Sequence, residues 1–269
     1  MINQVANIHQ NLKEITPIVQ MMHNYVSALE CSEALIAVGA SPIITASIQE
    51  GEQVAGLVNA VSMNTATIND GQLESMSLAG MIANEVQIPI VLDCAGVSFS
   101  KYRAQSVMKL LKKVNMTIIK GNYSEIAFLA GDNVVSKGLD TVVADEYDCV
   151  NVALKLADKC QCTVIVTGKT DIIADSTDVI KIFNGTPLLQ KLFSSGDMIG
   201  TLAAAYCGMT KNYLAAATAA TGIVGLAGEL AASNLSNDLD IGTFKVYFFN
   251  ELAKMDSDTI KNGLQLLVY

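Results

Sequence analysis

Short apolar runs alternate with longer helical patterns through the first two thirds of the chain. Four runs of four to six residues are typical of buried strands, at 58–63, 88–93, 116–120 and 163–167. Helical patterns occupy the stretches 73–86, 101–114, 124–130 and 145–159. Strand–helix alternation predicts an α/β fold with a mostly parallel central sheet and helices on both faces, because parallel strands need crossover connections.

The pattern changes after residue 170. Segments 171–175 and 179–183 flank the short turn Ser176-Thr177-Asp178, which predicts a short antiparallel hairpin at one side of the sheet. Beyond Asp197 the pattern is helical to near the C-terminus. Because no linker or low-complexity tract interrupts the chain, we expect residues 1–269 to form a single domain.

The amino-acid composition limits the classes of function that this chain can have. Hydrophobic residues make up 51% of the 269 residues, which indicates a folded, core-rich protein. With 17 Lys and Arg against 26 Asp and Glu, the chain lacks the basic stripe that binding to nucleic acid needs, so we expect no nucleic-acid partner. An anionic substrate would have to be met by helix N-termini, a few lysines or a metal ion.

Cysteine usage and hydropathy suggest a cytoplasmic protein. Six cysteines include one C-x-C pair, Cys160 and Cys162, and no metal-binding spacing. The N-terminus lacks the basic and apolar regions of a signal peptide. The most apolar region, 198–233, is rich in Ala, Gly and Thr and is interrupted by a Lys-Asn pair, so we predict packed interior helices there and no membrane contact.

The sequence Phe193-Ser194-Ser195-Gly196-Asp197 precedes the long helical region. Small residues at a helix start leave backbone N–H groups free to bind an anion, so Ser195 and Gly196 are candidates for an anion hole. Asp197 adds a carboxylate beside them. Donors that hold phosphoryl oxygens next to a base that takes a hydroxyl proton are what phosphoryl transfer to an alcohol requires.

Other candidates follow the predicted strands, because ligands of open α/β sheets bind beyond the carboxyl ends of the strands. Asp93 is a possible Mg²⁺ ligand or a loop-capping residue. Lys120 offers a charge for phosphate, and Glu125 is either a carboxylate for Mg²⁺ or the partner of Asn122 in a capping box. Thr167 could contact a nucleotide or close a turn.

Two N-terminal segments complete the candidates. Asn24 could hydrogen-bond a small polar ligand, whereas the neighbouring His23 is more typical of a structural residue. The segment 39–44 is a tight apolar turn, which is either a simple strand connection or the wall of a small-molecule pocket presenting Ile44. The chain contains no P-loop, protein-kinase or G-x-S-x-G motif.

Taken together these segments resemble the hydroxyethylthiazole kinases, a family of ribokinase-like small-molecule kinases. The resemblance spans about 17–252 and rests on the order of seven motifs: H-N-Y-V at 23–26, G-A-S-P-I-I at 39–44, L-D-x-x-G at 92–96, K-G-N-x-x-E at 120–125, V-T-G-x-x-D at 166–171, S-S-G-D at 194–197 and G-T-F at 242–244.

The resemblance implies ATP- and Mg²⁺-dependent phosphorylation of 4-methyl-5-(2-hydroxyethyl)thiazole, in thiamine biosynthesis or salvage, by a homotrimer. It places three groups of residues by role. The acceptor alcohol would contact Asn24, Ile44 and Ser194. The nucleotide would contact Lys120, Asn122 and Thr167. Mg²⁺ would lie near Asp93 and Glu125.

This chain departs from the family pattern at the helix start. The usual T-G-[AST]-G-C is F-S-S-G-D here, so that Phe193, Ser194 and Asp197 replace Thr, Gly and Cys. Asp197 is the expected base, because the wider ribokinase-like group has aspartate there. Ser194 and Phe193 add bulk where substrate would approach, which leaves two alternatives open: a kinase of another small alcohol or vitamin precursor, and a non-catalytic family member.

Overall fold

The computed structural model of the protein describes residues 1–132 and 145–269. Its strands are β1 (Ile18–Met22), β2 (Ser41–Ile44), β3 (Ala60–Asn64), β4 (Ile90–Asp93), β5 (Ile118–Asn122), β6 (Thr163–Thr167), β7 (Asp171–Ala174), β8 (Val179–Ile182) and β9 (Leu266–Val268). Its helices are α1 (Ile2–Ile15), α2 (Ala28–Val38), α3 (Ile48–Ala55), α4 (Asp70–Glu85), α5 (Lys101–Leu111), α6 (Tyr123–Ala130), α7 (Glu146–Cys160), α8 (Ser195–Cys207), α9 (Tyr213–Ser233), α10 (Ile241–Lys254) and α11 (Ser257–Gly263). A 3-10 helix spans Pro187–Lys191.

The nine strands form one sheet in the order β2-β1-β3-β4-β5-β6-β7-β8-β9. Neighbours from β2 to β6 are parallel, and β7, β8 and β9 are added antiparallel. The predicted mostly parallel sheet and the antiparallel hairpin are therefore confirmed, and both sheet faces carry helices as expected.

Three strands were not predicted from the sequence. β1 follows α1 after only two residues, Thr16 and Pro17, and β9 has only three residues. β2 contains Pro42 and was interpreted as a tight turn. It is the edge strand beside β1, where a residue without an N–H is tolerated.

Two apolar layers enclose the sheet. One packs α1, α2, α8, α9, α10 and α11 on one face, and the other packs α3 to α7 on the opposite face. The longest helix, α9, is apolar enough to cross a membrane by length and composition, yet 89% of its most apolar 18-residue window is buried inside the protein. Its apolar surface is thus used for packing between helices and sheet, as expected for 198–233.

The strand order also contains a topological switch point. From β1 the chain moves outward to β2, and the remaining parallel strands are added on the other side of β1, starting with β3. The reversal occurs between β1 and β3. In open α/β sheets, ligands bind at the carboxyl ends of the strands at such a switch point.

Candidate active site

The predicted site residues lie along one edge of the sheet. Five of the parallel strands end on Ile44, Asn64, Asp93, Asn122 and Thr167, and Asn24 follows the end of the sixth, β1. At a strand spacing of about 4.8 Å, the edge from β2 to β6 is about 24 Å long. Ile44 lies at one extreme of this edge and Thr167 at the other.

The N-terminus of α8 opens onto the middle of this edge. The Ser195 N–H donates to the Leu192 carbonyl (3.1 Å), and the Ser195 hydroxyl donates to the Leu189 carbonyl (2.7 Å). Ser195 is therefore an anchor of the turn, and its N–H is not free as the sequence suggested. Within 1–132 and 145–269, the N–H groups of Gly196 and Asp197 have no acceptor, so the anion hole consists of these two.

Asp197 is held by an asparagine from the opposite side of the switch point. Asn24 Nδ2 lies within hydrogen-bond distance of three acceptors, which are Ser27 Oγ (2.7 Å), Asn64 Oδ1 (2.9 Å) and Asp197 Oδ2 (3.0 Å). The Asn24 amide is fixed in turn, because its Oδ1 accepts the N–H groups of Val26 and Ser27. Asn24 is buried, and these contacts engage its amide with protein groups rather than leaving it free for an acceptor alcohol.

His23 lies behind this pair and is structural, as the sequence suggested. Its Nε2 is 2.8 Å from Ser62 Oγ and 3.3 Å from Thr201 Oγ1. Burial lowers the pKa of His23 to about 4, although the Asp197 carboxylate opposes the shift. The imidazole is therefore neutral at physiological pH and adds no positive charge to the site.

Lys120 reaches the same helix start from β5. Its Nζ forms a buried ion pair with Asp93 Oδ2 (3.0 Å), and a methyl group built on Gly196 would lie 3.3 Å from that Nζ. Burial alone would lower the pKa of Lys120, but the carboxylates of Asp93, Asp197 and Glu125 outweigh burial and raise it. A permanently charged ammonium thus lies beside the two free N–H groups, where anionic oxygens would bind.

Three carboxylates surround this single ammonium, which leaves an excess of negative charge. Burial raises the pKa of Asp93 to about 7 against the opposing effect of Lys120, and Asp93 Oδ1 is buried without a partner among the described residues. This oxygen and the excess charge fit a divalent cation. In the described parts of the chain, no group of three or more His, Cys, Asp or Glu side chains could hold a metal alone, so water and phosphate would complete its shell.

Glu125 does what the capping-box alternative predicted. Its Oε2 accepts the Asn122 N–H (2.8 Å), and Asn122 Oδ1 accepts the Glu125 N–H (3.0 Å). Its Oε1 accepts the Gly96 N–H in the loop after β4 (2.7 Å). Each carboxylate oxygen keeps a lone pair, so Glu125 can contact a cation through water while it joins two loops of the site.

Thr167 lies at the β6 end of the edge. Its hydroxyl lies 3.3 Å from the Gly121 carbonyl on the neighbouring strand. The turn that follows is held by Asp171, whose Oδ1 accepts the Gly168 N–H (2.8 Å). The side chain remains half-buried at the strand end, next to Asn122, with which it is paired in register.

At the β2 end of the edge, the side chain of Ser194 does not point where the sequence analysis expected. Ile44 is 52% exposed at the end of β2, and Phe193 is 77% exposed beside α8. Ser194 is fully buried, and its hydroxyl donates to Glu30 of α2, which also pairs with Lys245 of α10. Ser194 is thus turned toward α2, away from the open side of the turn.

The sequence analysis did not identify Glu30 or Lys245 as candidate site residues. Glu30 lies in the first turn of α2, and Lys245 directly follows the G-T-F segment, so both are in ordinary positions for solvated helical charges. Their contact joins residues 215 positions apart, and no local pattern predicts such a contact. Asn64 was recognised as polar, but its role in holding Asn24 was not.

The site combines a helix start with free N–H groups, a lysine and a positioned aspartate, and it lies at a switch point of the sheet. This combination is typical of the α/β kinases that phosphorylate small molecules. Solved ribokinase-like kinases share the fold: a Bacillus subtilis pyridoxal kinase in an ADP complex superposes with a TM-score of 0.61 at 15% identity, over 79% of this chain and 91% of that one. More specifically, the chain belongs to the hydroxyethylthiazole kinase family, whose model matches residues 9–258.

Individual relatives agree with the family assignment. Hydroxyethylthiazole kinase from Clostridioides difficile is 39% identical over 257 residues, covering 96% of this chain and 97% of its own length. The protein of the same name from Alkaliphilus oremlandii is 35% identical and covers 96% of both chains. The solved hydroxyethylthiazole kinase from Pyrococcus horikoshii has a TM-score of 0.89 at 28% identity, with 98% of both chains covered. The predicted family and fold are therefore confirmed.

Proposed function

We propose that this protein is a hydroxyethylthiazole kinase that transfers the γ-phosphoryl group of ATP to the hydroxyl of 4-methyl-5-(2-hydroxyethyl)thiazole, a step of thiamine biosynthesis or salvage. Family membership and the names of the relatives support the reaction. One observation on this chain's own residues supports the same reaction. Asp197 is fixed by Asn24 beside the free N–H groups of α8, so a base and an anion hole share one turn.

The chemistry divides between Asp197 and its surroundings. Asp197 takes the proton of the acceptor hydroxyl while the alcohol oxygen forms a bond to the γ-phosphorus. The bond from that phosphorus to the bridging oxygen breaks, and ADP leaves with the electron pair. The N–H groups of Gly196 and Asp197 and the Lys120 ammonium stabilise the equatorial oxygens, so the protein acts mainly by positioning and charge.

Mg²⁺, the expected cofactor, neutralises phosphate charge when it is bound with ATP. Asp93 Oδ1 is the protein atom best placed to meet it, since this buried oxygen has no partner among the described residues. Glu125 would contribute through water, because both its oxygens already accept backbone N–H groups. Glu125 also joins the loop after β4 to the end of β5, which would keep both segments beside a bound cation.

The nucleotide and the acceptor would lie at opposite ends of the edge. Lys120, Asn122 and Thr167 end neighbouring strands and offer an ammonium, a helix N-cap and a hydroxyl for ATP. Ile44 supplies an apolar surface for the acceptor ring on the β2 side. Ser194 would contact the acceptor by its backbone, because its side chain is directed to Glu30.

A kinase of the same fold with another alcohol is the second candidate. The observation that favours it is Phe193, a large exposed aromatic residue beside the helix start, where the family usually has Thr. Such a ring would alter the rim of the acceptor pocket without touching the transfer centre. The two candidates therefore share Asp197, Lys120 and the anion hole, and they differ only in the molecule that carries the hydroxyl.

We further propose that residues 1–269 act as one kinase domain in the cytoplasm and assemble as a homotrimer. A single sheet carries every site residue, and all six cysteines are free thiols, as expected in a reducing compartment. Exposed apolar side chains near the site, including Tyr25, Leu29 and Val246, would be covered between subunits. Light scattering should give about 86 kDa, three times 28.5 kDa.

Substitution of Asp197 by Asn tests the assignment of the base. The amide cannot accept the hydroxyl proton, so kcat for thiazole phosphorylation should fall by about 10²- to 10⁴-fold. The Kd for Mg·ATP, measured by calorimetry, should change less than about threefold, well under 1.4 kcal/mol. The exposed Asp238→Asn variant serves as the matched control. Near-normal turnover in Asp197→Asn would remove Asp197 from this role.

A further inference from the structure

Ser194 stands where the family usually has glycine, at the N-cap of α8. We propose that Glu30, held by Lys245, is a positioning residue that keeps the Ser194 hydroxyl off the N-terminus of α8, so that the N–H groups of Gly196 and Asp197 stay free for the phosphoryl oxygens. This inference rests on the proposed function and adds two residues to its machinery.

A serine at an N-cap ordinarily competes with an anion. Its side-chain oxygen accepts an N–H from the second or third residue of the helix, and this cap stabilises a helix by about 1 kcal/mol. In α8 those residues are Gly196 and Asp197, the two with free N–H groups. A serine that capped its own helix would fill the anion hole, whereas a glycine has no side chain to do so.

In this structure the competing hydrogen bond is absent. Ser194 makes no side-chain cap, although five other helices are capped by an Asn or Asp side chain at the same position: α4, α6, α7, α9 and α11. The Ser194 hydroxyl instead donates to Glu30 Oε2. Ser194 is 0% exposed, so water does not compete for its hydroxyl. Among the described residues, Glu30 is thus the acceptor that holds this hydroxyl away from the helix start, while the Ser194 backbone (φ −93°, ψ 0°) is not in the extended conformation of the capping residues of α4, α6, α7 and α11.

Lys245 fixes Glu30 in that position. Its ammonium pairs with Glu30 Oε1, which leaves Oε2 for Ser194. Burial raises the pKa of Glu30, but the hydrogen bonds from Lys245 and Ser194 outweigh burial and bring the pKa below its ordinary value. Glu30 is thus an ionised carboxylate, which only accepts hydrogen bonds, so Ser194 must be the donor. The contact links α2, the helix start and α10.

A double-mutant cycle separates this role from a general structural one. Glu30→Ala releases the hydroxyl to cap α8 and should lower kcat by about 10²-fold, the scale of one lost anion-hole donor. Ser194→Gly removes the competing hydroxyl and is the reference with which the double variant is compared. The combined Glu30→Ala/Ser194→Gly variant should recover most of the loss, because without the hydroxyl the carboxylate is no longer needed.

A second readout is independent of the acceptor alcohol. Aluminium fluoride mimics the transferring phosphoryl group and should tighten Mg·ADP binding to the natural protein, to Ser194→Gly and to the double variant, but not to Glu30→Ala. Glu251→Ala, which removes a carboxylate paired with Lys254 within α10, is the matched control. Lys245→Met with and without Ser194→Gly repeats the cycle should Glu30→Ala fold poorly.

The outcomes distinguish this inference from the proposed function. Recovery in the double variant, in both readouts, supports the role of Glu30. A double variant as impaired as Glu30→Ala, or a Glu30→Ala variant within twofold of the natural protein, overturns it and leaves the kinase assignment intact. A natural protein that neither phosphorylates any alcohol nor responds to aluminium fluoride overturns both.

Discussion

At the scale of single residues, the site depends on side chains whose own hydrogen bonds fix their direction. Asn24 illustrates this: two backbone N–H groups hold its oxygen, so its Nδ2 must face Asp197 and Asn64. The resemblance implied that Asn24 contacts the acceptor. In the structure its amide contacts Asp197, the proposed base, which lies 173 residues further along the chain.

Asn24→Ala distinguishes the two roles. Without its amide partner, Asp197 loses its fixed orientation, and misplacement by about 1 Å can reduce turnover by about 10²-fold. We expect kcat to fall by 10- to 100-fold with KM for the acceptor little changed, measured by steady-state kinetics. A higher KM with normal kcat would instead mark Asn24 as an acceptor contact.

At this scale the positions of the candidate residues were predictable from the sequence, but the hydrogen-bond partners that fix their side chains were not. Asp93, Lys120, Asn122 and Thr167 were found because each follows or ends an apolar run, and parallel strands bring such ends to one edge. The directions of Ser194 and Asn24 depend on contacts across more than 160 residues, which no local pattern encodes.

At the scale of helices and strands, the capping of helix N-termini and the close packing of helices against neighbouring backbone determine the geometry of the fold. The Asn122–Glu125 capping box was predictable because both partners lie within four residues. The close approach of α9 to the segment after β8 was not predictable, because it depends on tertiary packing. Gly225 of α9 faces the backbone there, and a methyl group built on it would lie 2.6 Å from the Asn184 carbonyl oxygen.

Gly225→Ala should therefore destabilise the protein. The new methyl group meets backbone rather than a flexible side chain, so α9 must shift, at a cost of about 1–3 kcal/mol. Gly242→Ala in α10 is the matched control: nothing lies within 4 Å of its added carbon, and the gain in helix propensity should leave stability unchanged or up to about 1 kcal/mol higher. Denaturant titration measures both. Equal stabilities would contradict the packing argument.

At the scale of the whole molecule, a buried histidine ties the N-terminal helix to the C-terminal ones. His9 of α1 accepts the Tyr206 hydroxyl of α8 at Nδ1 (2.7 Å) and donates from Nε2 to the Met255 carbonyl after α10 (3.1 Å). The carbonyl can only accept, so Nε2 carries a proton, and in the neutral imidazole Nδ1 is the acceptor. Burial lowers the pKa of His9 to about 4.

This pKa predicts an acid-sensitive fold. Unfolded His9 binds a proton near pH 6.5 and folded His9 only near pH 4, so stability is present above pH 6.5 and is lost as the pH falls toward 4. Relative to His9→Gln, which does not titrate, the natural protein should lose about 2 kcal/mol between pH 7 and pH 5. Denaturant unfolding at both pH values measures this loss. If the difference in unfolding free energy between the two proteins were the same at pH 7 and pH 5, it would contradict a buried, neutral His9.

The central claim is that the turn before α8 transfers a phosphoryl group from ATP to the hydroxyl of the thiazole. The most direct measurement supplies purified protein, Mg²⁺ and ATP with 4-methyl-5-(2-hydroxyethyl)thiazole and, in competition, with other ring-bearing primary alcohols such as pyridoxal. Mass spectrometry then identifies the phosphorylated product. We expect one thiazole phosphate ester per ADP and a marked preference for the thiazole. Preferential phosphorylation of another alcohol, or ADP formation without any ester, would contradict it.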